Sequence, residues 1–167
     1  MARQIPATAK VALVVAIGST IALIDQLTKE AAISSLTPNQ TVPVLGDLLG
    51  WYLTYNDSAA FSIGFGATWI FTVISTLALI AVLWRTPRVE TRGWLILAGM
   101  LAGGISGNLI DRLTRAPGFG SGQVVDFIQI PFGFPIFNVA DCFISVTMFL
   151  VAVLVIRGHK IGGGKVA

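Results

Sequence analysis

Two aspartates in the second half of this 167-residue sequence carry its clearest chemical signal. Asp126 stands between Val125 and Phe127, and Asp141 precedes a long apolar run. A carboxyl group in apolar surroundings has a raised pKa, and two carboxyl groups that share a site titrate as a pair. Such a pair can take a proton from water and give one to a carbonyl or a leaving amine. We therefore predict an acid–base site built on Asp126 and Asp141.

Each aspartate also has a plainer interpretation. Asp126 follows a glycine-rich segment at residues 118–122, which predicts a mobile outer loop and also suits an ordinary turn aspartate. Asp141 stands near the start of a predicted helix, where the helix dipole favours a carboxylate. For the acid–base pair, we expect Asp126 on the mobile loop and Asp141 within a rigid helix.

The sequence lacks the residues that other catalytic mechanisms and metal sites need. His159, the single histidine, follows the last apolar run and is predicted to lie across the membrane from the two aspartates, so a Ser-His-Asp or Cys-His site has no base to use. With Cys142 as the single cysteine, the sequence also offers no zinc cluster. The net charge of +3 does not indicate nucleic acid binding, because the basic residues are dispersed between apolar runs. We expect no metal, no cofactor and no nucleic acid partner.

The elements that position the two aspartates must be membrane helices. Hydrophobic residues make up 54% of the chain and charged residues 11%, whereas soluble domains carry about 25% charged residues. Apolar runs predict four spans at about residues 9–27, 64–84, 93–110 and 132–156. The outer segments then cover about residues 28–63 and 111–131, and residues 48–55 are typical of a strand pair.

These runs predict a membrane all-α bundle of four transmembrane helices with a small extracytoplasmic platform that contains β-structure. We expect a single integral membrane domain over residues 1–167. A cleaved signal peptide is the alternative for the first span, because Arg3 and Lys10 precede its apolar run, which starts at Val11.

The basic residues predict the orientation of the spans. With four spans, both termini lie on the same side of the membrane. Of the 11 Lys and Arg residues, only Lys29, Arg112 and Arg115 lie on the opposite side. The positive-inside rule then places both termini in the cytoplasm and both aspartates at the outer face. The basic residues on the cytoplasmic side are Arg3, Lys10, Arg85, Arg88, Arg92, Arg157, Lys160 and Lys165.

Three of the predicted spans place a polar residue at one depth. Counted outward from the basic residue at the inner end of each helix, Asp25, Asn108 and Asp141 lie about 23–24 Å along the helix axis. Because ionisable groups at membrane depth are costly unless paired or wetted, we predict a shared polar cavity that opens outward. Polar contacts that only hold the helices together are the alternative.

Helical spacing groups further polar residues with the aspartates. Asp25 and Lys29 are four positions apart, although this spacing is also typical of an ordinary ion pair at a helix end. Asn108 shares a helix face with Asp111 and with Arg112. The sequence therefore predicts a cluster of amides and charges around the carboxyl pair.

Small residues accompany this cluster. Gly103 and Gly107 form a G-x-x-x-G spacing, which predicts close packing of the third helix. Asn138 and Asp141 are three positions apart and share a face at the start of the fourth span.

Five motifs together resemble the signal peptidase II (lipoprotein signal peptidase) family. D-Q-L-T-K, N-D-S-A-A-F-S, G-G-I-S-G-N-L-I-D-R, V-V-D-F and F-N-V-A-D occur in the order and spacing of that family. The resemblance implies a bacterial inner-membrane aspartyl endopeptidase. Its substrates would be diacylglyceryl-modified prolipoproteins, cut just before the lipidated cysteine at the outer face.

The resemblance also implies the roles of individual residues. Asp126 and Asp141 would be the catalytic pair. The residues that would shape the site or bind substrate are Asp25, Lys29, Asn56, Asn108, Asp111, Arg112, Asn138 and Ala140. The family needs no metal, works among membrane lipids and is inhibited by globomycin, so we expect the same here. One position departs from the pattern, because Ser58 stands where the second motif usually has glycine.

Two other classes stay open on the residues alone. A proton-coupled transporter would also carry charged residues in its spans, but the sequence shows no internal repeat of the kind that transporters have. A subunit with a purely structural role would tolerate Asp126→Asn, because nothing would depend on that proton.

Overall fold

Four long helices and a small sheet make up the part of the chain that this computed structural model describes, residues 5–57 and 68–163. The helices are α1 (Ala7–Ser35), α2 (Thr68–Arg85), α3 (Arg92–Thr114) and α4 (Val139–Ile156), and a short 3-10 turn, Thr86–Arg88, follows α2. The strands are β1 (Thr41–Leu45), β2 (Leu49–Asn56) and β3 (Val124–Gln129). All four helices are long and apolar enough to cross a membrane. The predicted membrane bundle with a β-containing platform is confirmed.

The fourth helix begins later than the predicted span. Its first residue is Val139, whereas the apolar run starts near residue 132. Gly133 has a φ of +66°, which a helix excludes, and Pro135 follows it. Asn138 then caps the helix: its side chain accepts from the backbone N–H of Asp141, and the Asp141 carboxylate accepts from the backbone N–H of Asn138.

The other helices extend beyond the predicted membrane segments or start within them. Helix α1 continues to Ser35 and α3 to Thr114, so both project past the outer ends predicted at residues 27 and 110. Residues 64–67 of the second predicted span lie outside the described residues, as does Ser58. The projecting ends of α1 and α3 bring charged residues towards the sheet.

Glycines let α1 pack directly against α3. A Cβ atom at Gly99 would lie 2.7 Å from Cβ of Ile17, and one at Gly103 would lie 2.6 Å from Cβ of Ile21. At Gly107 a Cβ atom would meet the Asp25 carboxylate at 2.6 Å. The close packing predicted from the G-x-x-x-G spacing is confirmed, and it brings the polar faces of the two helices together.

The α3–α4 contact depends on a further glycine. A Cβ atom at Gly104 would lie 2.7 Å from the backbone oxygen of Ala140. We expect Gly104→Ala to lower the free energy of unfolding by about 1–3 kcal/mol, because backbone atoms of α4 must move. Gly93→Ala in the same helix is the matched control, since no atom of the described residues lies within 4 Å of its Cβ position. Equal stability of the two variants in a denaturant titration would contradict this packing.

The three strands form one antiparallel sheet in the order β1-β2-β3. Because side chains alternate along a strand, Val125 and Phe127 share the face that packs against Ala32 and Leu53. Asp126 points to the opposite face. Phe137 pairs with Ile128 through two backbone hydrogen bonds, which fixes the segment that leads into α4 beside β3.

Candidate active site

Asp126 lies on strand β3, so the prediction that it lies on a mobile loop is wrong. Its Cα pairs with that of Thr54 on β2. The glycine-rich segment ends before the strand, and the Thr72 hydroxyl of α2 donates to the backbone oxygen of Gly120 over 2.7 Å. In Val125-Asp126-Phe127, apolar and polar residues alternate, which is typical of a strand with one polar position. This alternation is the sequence feature that indicates the strand.

Asn138 joins the two carboxyl groups. Its side-chain Nδ2 donates to Oδ1 of Asp126 over 2.6 Å, and its backbone N–H donates to Oδ2 of Asp141 over 3.2 Å. The Asn138 side chain is fully buried. Asn138 therefore connects Asp126 of the sheet with Asp141 at the start of α4, although the two aspartates lie 15 positions apart in the chain.

Two further asparagines complete the contacts of the carboxyl groups. Asn56, at the end of β2, donates from Nδ2 to Oδ2 of Asp126 over 2.9 Å. Asn108 of α3 donates from Nδ2 to Oδ1 of Asp141 over 2.7 Å. Each carboxyl group thus receives N–H donors on both oxygens, and these donors fix its orientation.

A buried lysine lies behind Asn108. Lys29 Nζ is 2.8 Å from Asp25 Oδ2, 2.7 Å from Asp111 Oδ2 and 3.0 Å from Asn108 Oδ1. Because the lysine holds the amide oxygen of Asn108, the amide nitrogen is left to face Asp141. The Asp25–Lys29 pair is not an ordinary ion pair at a helix end, since both side chains are fully buried.

Asp25 and Asp111 tie this cluster to the elements that carry the carboxyl pair. Asp25 Oδ1 accepts from the backbone N–H of Ala140 over 2.8 Å, near the start of α4. Asp111 Oδ2 accepts from the backbone N–H of Val125 over 3.2 Å, next to Asp126. Ala140 therefore contributes its backbone, and its small, fully buried side chain suits the close contact with α3.

Three residues of this network were missed from the sequence. Gln26 Nε2 donates to Asp111 Oδ1 over 3.1 Å and to the backbone oxygen of Gly107 over 3.0 Å. Arg115 pairs with Asp111 over 2.7 Å and with Glu30 over 2.8 Å. Glu30 and Arg115 were visible as charges beyond the spans, but only the three-dimensional fold shows that α1 and α3 place them together.

Arg112 lies on the side of α3 that faces α2. Its Nη1 donates to the backbone oxygen of Asn108 over 3.3 Å, and its guanidinium lies 5.9 Å from the centre of the Phe71 ring. It interacts electrostatically with Asp141, Asp111 and Asp126. Its positive charge therefore belongs to the same polar cluster, as the spacing from Asn108 predicted.

The surroundings of Asp126 raise the pKa of its carboxyl group to about 6. Burial is the main cause, and the charge of Asp141 adds to it. The N–H donors of Asn56 and Asn138 and the charge of Lys29 act in the opposite direction. Asp126 therefore keeps its proton up to a pH at which an exposed aspartate is fully ionised.

The pKa of Asp126 should respond with opposite signs to two substitutions. Asp141→Asn removes a negative charge that favours the protonated form, so we expect the pKa to fall below about 6. Asn56→Ala removes a donor that favours the ionised form, so we expect the pKa to rise. Carboxyl ¹³C NMR of aspartate-labelled protein against pH would measure both shifts. Shifts of the same sign would contradict the arrangement.

The site thus offers two carboxyl groups and a set of amide and cationic donors. Within residues 5–57 and 68–163, no group of three or more His, Cys, Asp and Glu side chains is placed to hold a metal ion. Paired carboxyl groups of which one is ionised and one protonated can activate water and protonate a leaving group.

The fold and the paired carboxyl groups place the chain among the multi-spanning membrane enzymes of the aspartic type. The family model described as "Signal peptidase (SPase) II" matches residues 17–157. The chain therefore belongs to the signal peptidase II family, as the five motifs indicated.

The sequences of individual relatives support the same family assignment. The chain is 48% identical to a lipoprotein signal peptidase of Leifsonia xyli, over 86% of this chain and 66% of the relative. It is 40% identical to one of Mycobacterium avium, over 88% of this chain and 80% of the relative. A solved bacterial membrane enzyme structure matches with a TM-score of 0.77 and 26% identity, covering 86% of this chain and 92% of that one.

Proposed function

We propose that this protein removes the signal peptide from diacylglyceryl-modified prolipoproteins by cleaving just before the lipidated cysteine. Asp126 and Asp141 act as the catalytic pair. The observation that carries this proposal is the pair of hydrogen bonds by which the buried Asn138 holds both carboxyl groups. Two carboxyl groups positioned by one residue from different elements suit a shared proton.

The pair hydrolyses the peptide bond without a covalent intermediate. The ionised carboxylate takes a proton from water as the water oxygen bonds to the peptide carbon, and the protonated carboxyl gives its proton to the peptide oxygen. The tetrahedral diol then collapses: the ionised member of the pair takes a proton from one of its hydroxyl groups, the C–N bond breaks, and the protonated member gives its proton to the leaving amine. The products are the signal peptide with a free carboxylate and a new N-terminal cysteine.

The surrounding residues act through the pair. Asn56, Asn108 and Asn138 orient the carboxyl groups, and Lys29 with Asp25 and Asp111 fixes the ends of α1, α3 and α4 behind them. Ala140 supplies a backbone N–H to that cluster, and Arg112 lowers the cost of negative charge during the reaction. These roles are supported by the hydrogen bonds and ion pairs of the described residues.

The active site lies at the outer face of the bacterial inner membrane, with both termini in the cytoplasm. The ends of the described bundle that carry most of the basic residues support this orientation, since cytoplasmic ends hold an excess of Lys and Arg. Water reaches the pair from outside, while the signal helix and the diacylglycerol stay among the membrane lipids. Globomycin would compete with the prolipoprotein for this site.

The test is cleavage by the purified protein. A diacylglyceryl-modified prolipoprotein is incubated with the protein in detergent, and the same prolipoprotein without lipid serves as the matched control. We expect loss of the signal peptide from the lipidated form only, inhibition by globomycin, and a mature product that begins with the lipidated cysteine by mass spectrometry. Equal cleavage of both forms, or cleavage at another bond, would overturn the proposal.

A further inference from the structure

A cavity of about 310 Å³ lies at the end of the bundle opposite the carboxyl pair. Residues of α2, α3 and α4 line it, and Ile161 and Gly162 of the C-terminal segment close one side. The backbone N–H of Glu90 donates to the backbone oxygen of Gly162 over 2.7 Å, which holds that segment in place. The volume lies within the range of about 300–1,000 Å³ that is typical of ligand sites.

Two arginines stand at the rim of this apolar cavity. Arg85 and Arg88 are both exposed, and the ion pairs formed among the described residues all lie at the other end of the bundle. The Arg88 guanidinium lies 4.7 Å from the centre of the Trp84 ring and donates to its backbone oxygen. The carboxylate nearest in sequence, Glu90, does not line the cavity and lies beside Gly163.

The cavity wall also carries an unused hydrogen-bond donor. In the described helices, Thr20, Thr76 and Thr114 each donate their hydroxyl to the backbone oxygen four residues earlier. Thr147 lines the cavity, is fully buried, and its hydroxyl has no partner among the described residues. A buried hydroxyl without an acceptor is costly, so an occupant with an oxygen acceptor would be favoured over plain hydrocarbon.

We propose that this cavity binds an anionic phospholipid, with its phosphate at Arg85 and Arg88 and an acyl chain between α2, α3 and α4. The charge at the rim excludes a signal peptide as the occupant, because the basic end of a signal peptide would be repelled by the two arginines. Under the orientation proposed above, the lipid comes from the cytoplasmic leaflet, whose anionic surface attracts basic residues. The inference does not depend on the peptidase activity.

Native mass spectrometry of the purified protein tests this site. The lipids compared are phosphatidylglycerol and phosphatidylcholine with identical acyl chains. We expect phosphatidylglycerol to bind more tightly by about fivefold for each of the two arginines, because no choline cation offsets the negative charge of its phosphate. The double substitution Arg85→Gln with Arg88→Gln should remove this preference. Arg92→Gln should keep it, because Arg92 is an exposed basic residue at the same end that does not line the cavity.

A second variant separates the cavity from general surface charge. Ala98 lines the cavity, so Ala98→Phe should fill it and weaken the binding of both lipids, while an unchanged thermal unfolding transition shows that the protein is folded. Inorganic phosphate should not displace the lipid. The proposal is overturned if the wild-type protein shows no preference, if Arg92→Gln loses it equally, if Ala98→Phe binds both lipids as before, or if phosphate alone competes.

Discussion

Asp126→Asn and Asp141→Asn should each lower kcat/KM for a lipidated prolipoprotein by about 10²–10⁴-fold, the range of general acid–base catalysis. An amide can neither accept the proton of the attacking water nor return one to the leaving amine. Removing either member therefore disables the pair as a unit. Cleavage rates of the purified variants on a gel measure the effect.

The matched control for these variants is Asp47→Asn, because Asp47 is exposed in the turn between β1 and β2. At Asp126 the substitution also places an amide N–H₂ group among the donors of Asn56 and Asn138, so folding must be checked by thermal unfolding. We expect Asp47→Asn to keep full activity. Full activity in a folded variant of Asp126 or Asp141 would remove that aspartate from the mechanism.

Lys29→Met should cost about 3–5 kcal/mol of stability, the usual loss when one partner of a buried ion pair is removed. Lys29, Asp25 and Asp111 are all fully buried. Asp111 would keep Arg115, but Asp25 would keep no cation among its described contacts. A detergent unfolding titration measures the change in the free energy of unfolding.

A second substitution distinguishes the ion pair from the loss of the lysine side chain itself. Lys29→Met combined with Asp25→Asn should recover part of the stability, because the buried charge left behind is removed. Lys160→Met is the matched control on an exposed lysine and should change stability little. If Lys29→Met unfolds like the Lys160 variant, the buried cluster does not support the bundle.

Spacing along single helices is what made much of the site predictable. Asp25 with Lys29, and Asn108 with Asp111 and Arg112, share helix faces whatever the rest of the chain does. The depth of the polar residues also follows from helix rise and membrane thickness alone. Helix spacing and helix rise therefore predict that these polar side chains lie at the same end of the bundle, without any knowledge of the contacts between helices.

Contacts between elements could not be predicted in this way. The placement of Asp126 depends on pairing with β2 and on the bridge from Phe137, which no local pattern encodes. The start of α4 is set by the cap at Asn138, not by the apolar run before it. The backbone N–H of Ala140 has no side-chain signature at all, so its bond to Asp25 could only be found in three dimensions.

We propose that this chain cleaves prolipoproteins through Asp126 and Asp141, and complementation in living bacteria tests this proposal. The chain is expressed in bacteria depleted of their own lipoprotein signal peptidase, and the processing of a lipidated prolipoprotein is followed on a gel. We predict that the wild-type chain and the Asp47→Asn control restore processing, whereas the Asp126→Asn and Asp141→Asn variants, present in the membrane at equal amounts, do not. Restored processing by either aspartate variant would exclude that aspartate from the catalytic pair, and no processing by a membrane-inserted wild-type chain would exclude the proposed activity.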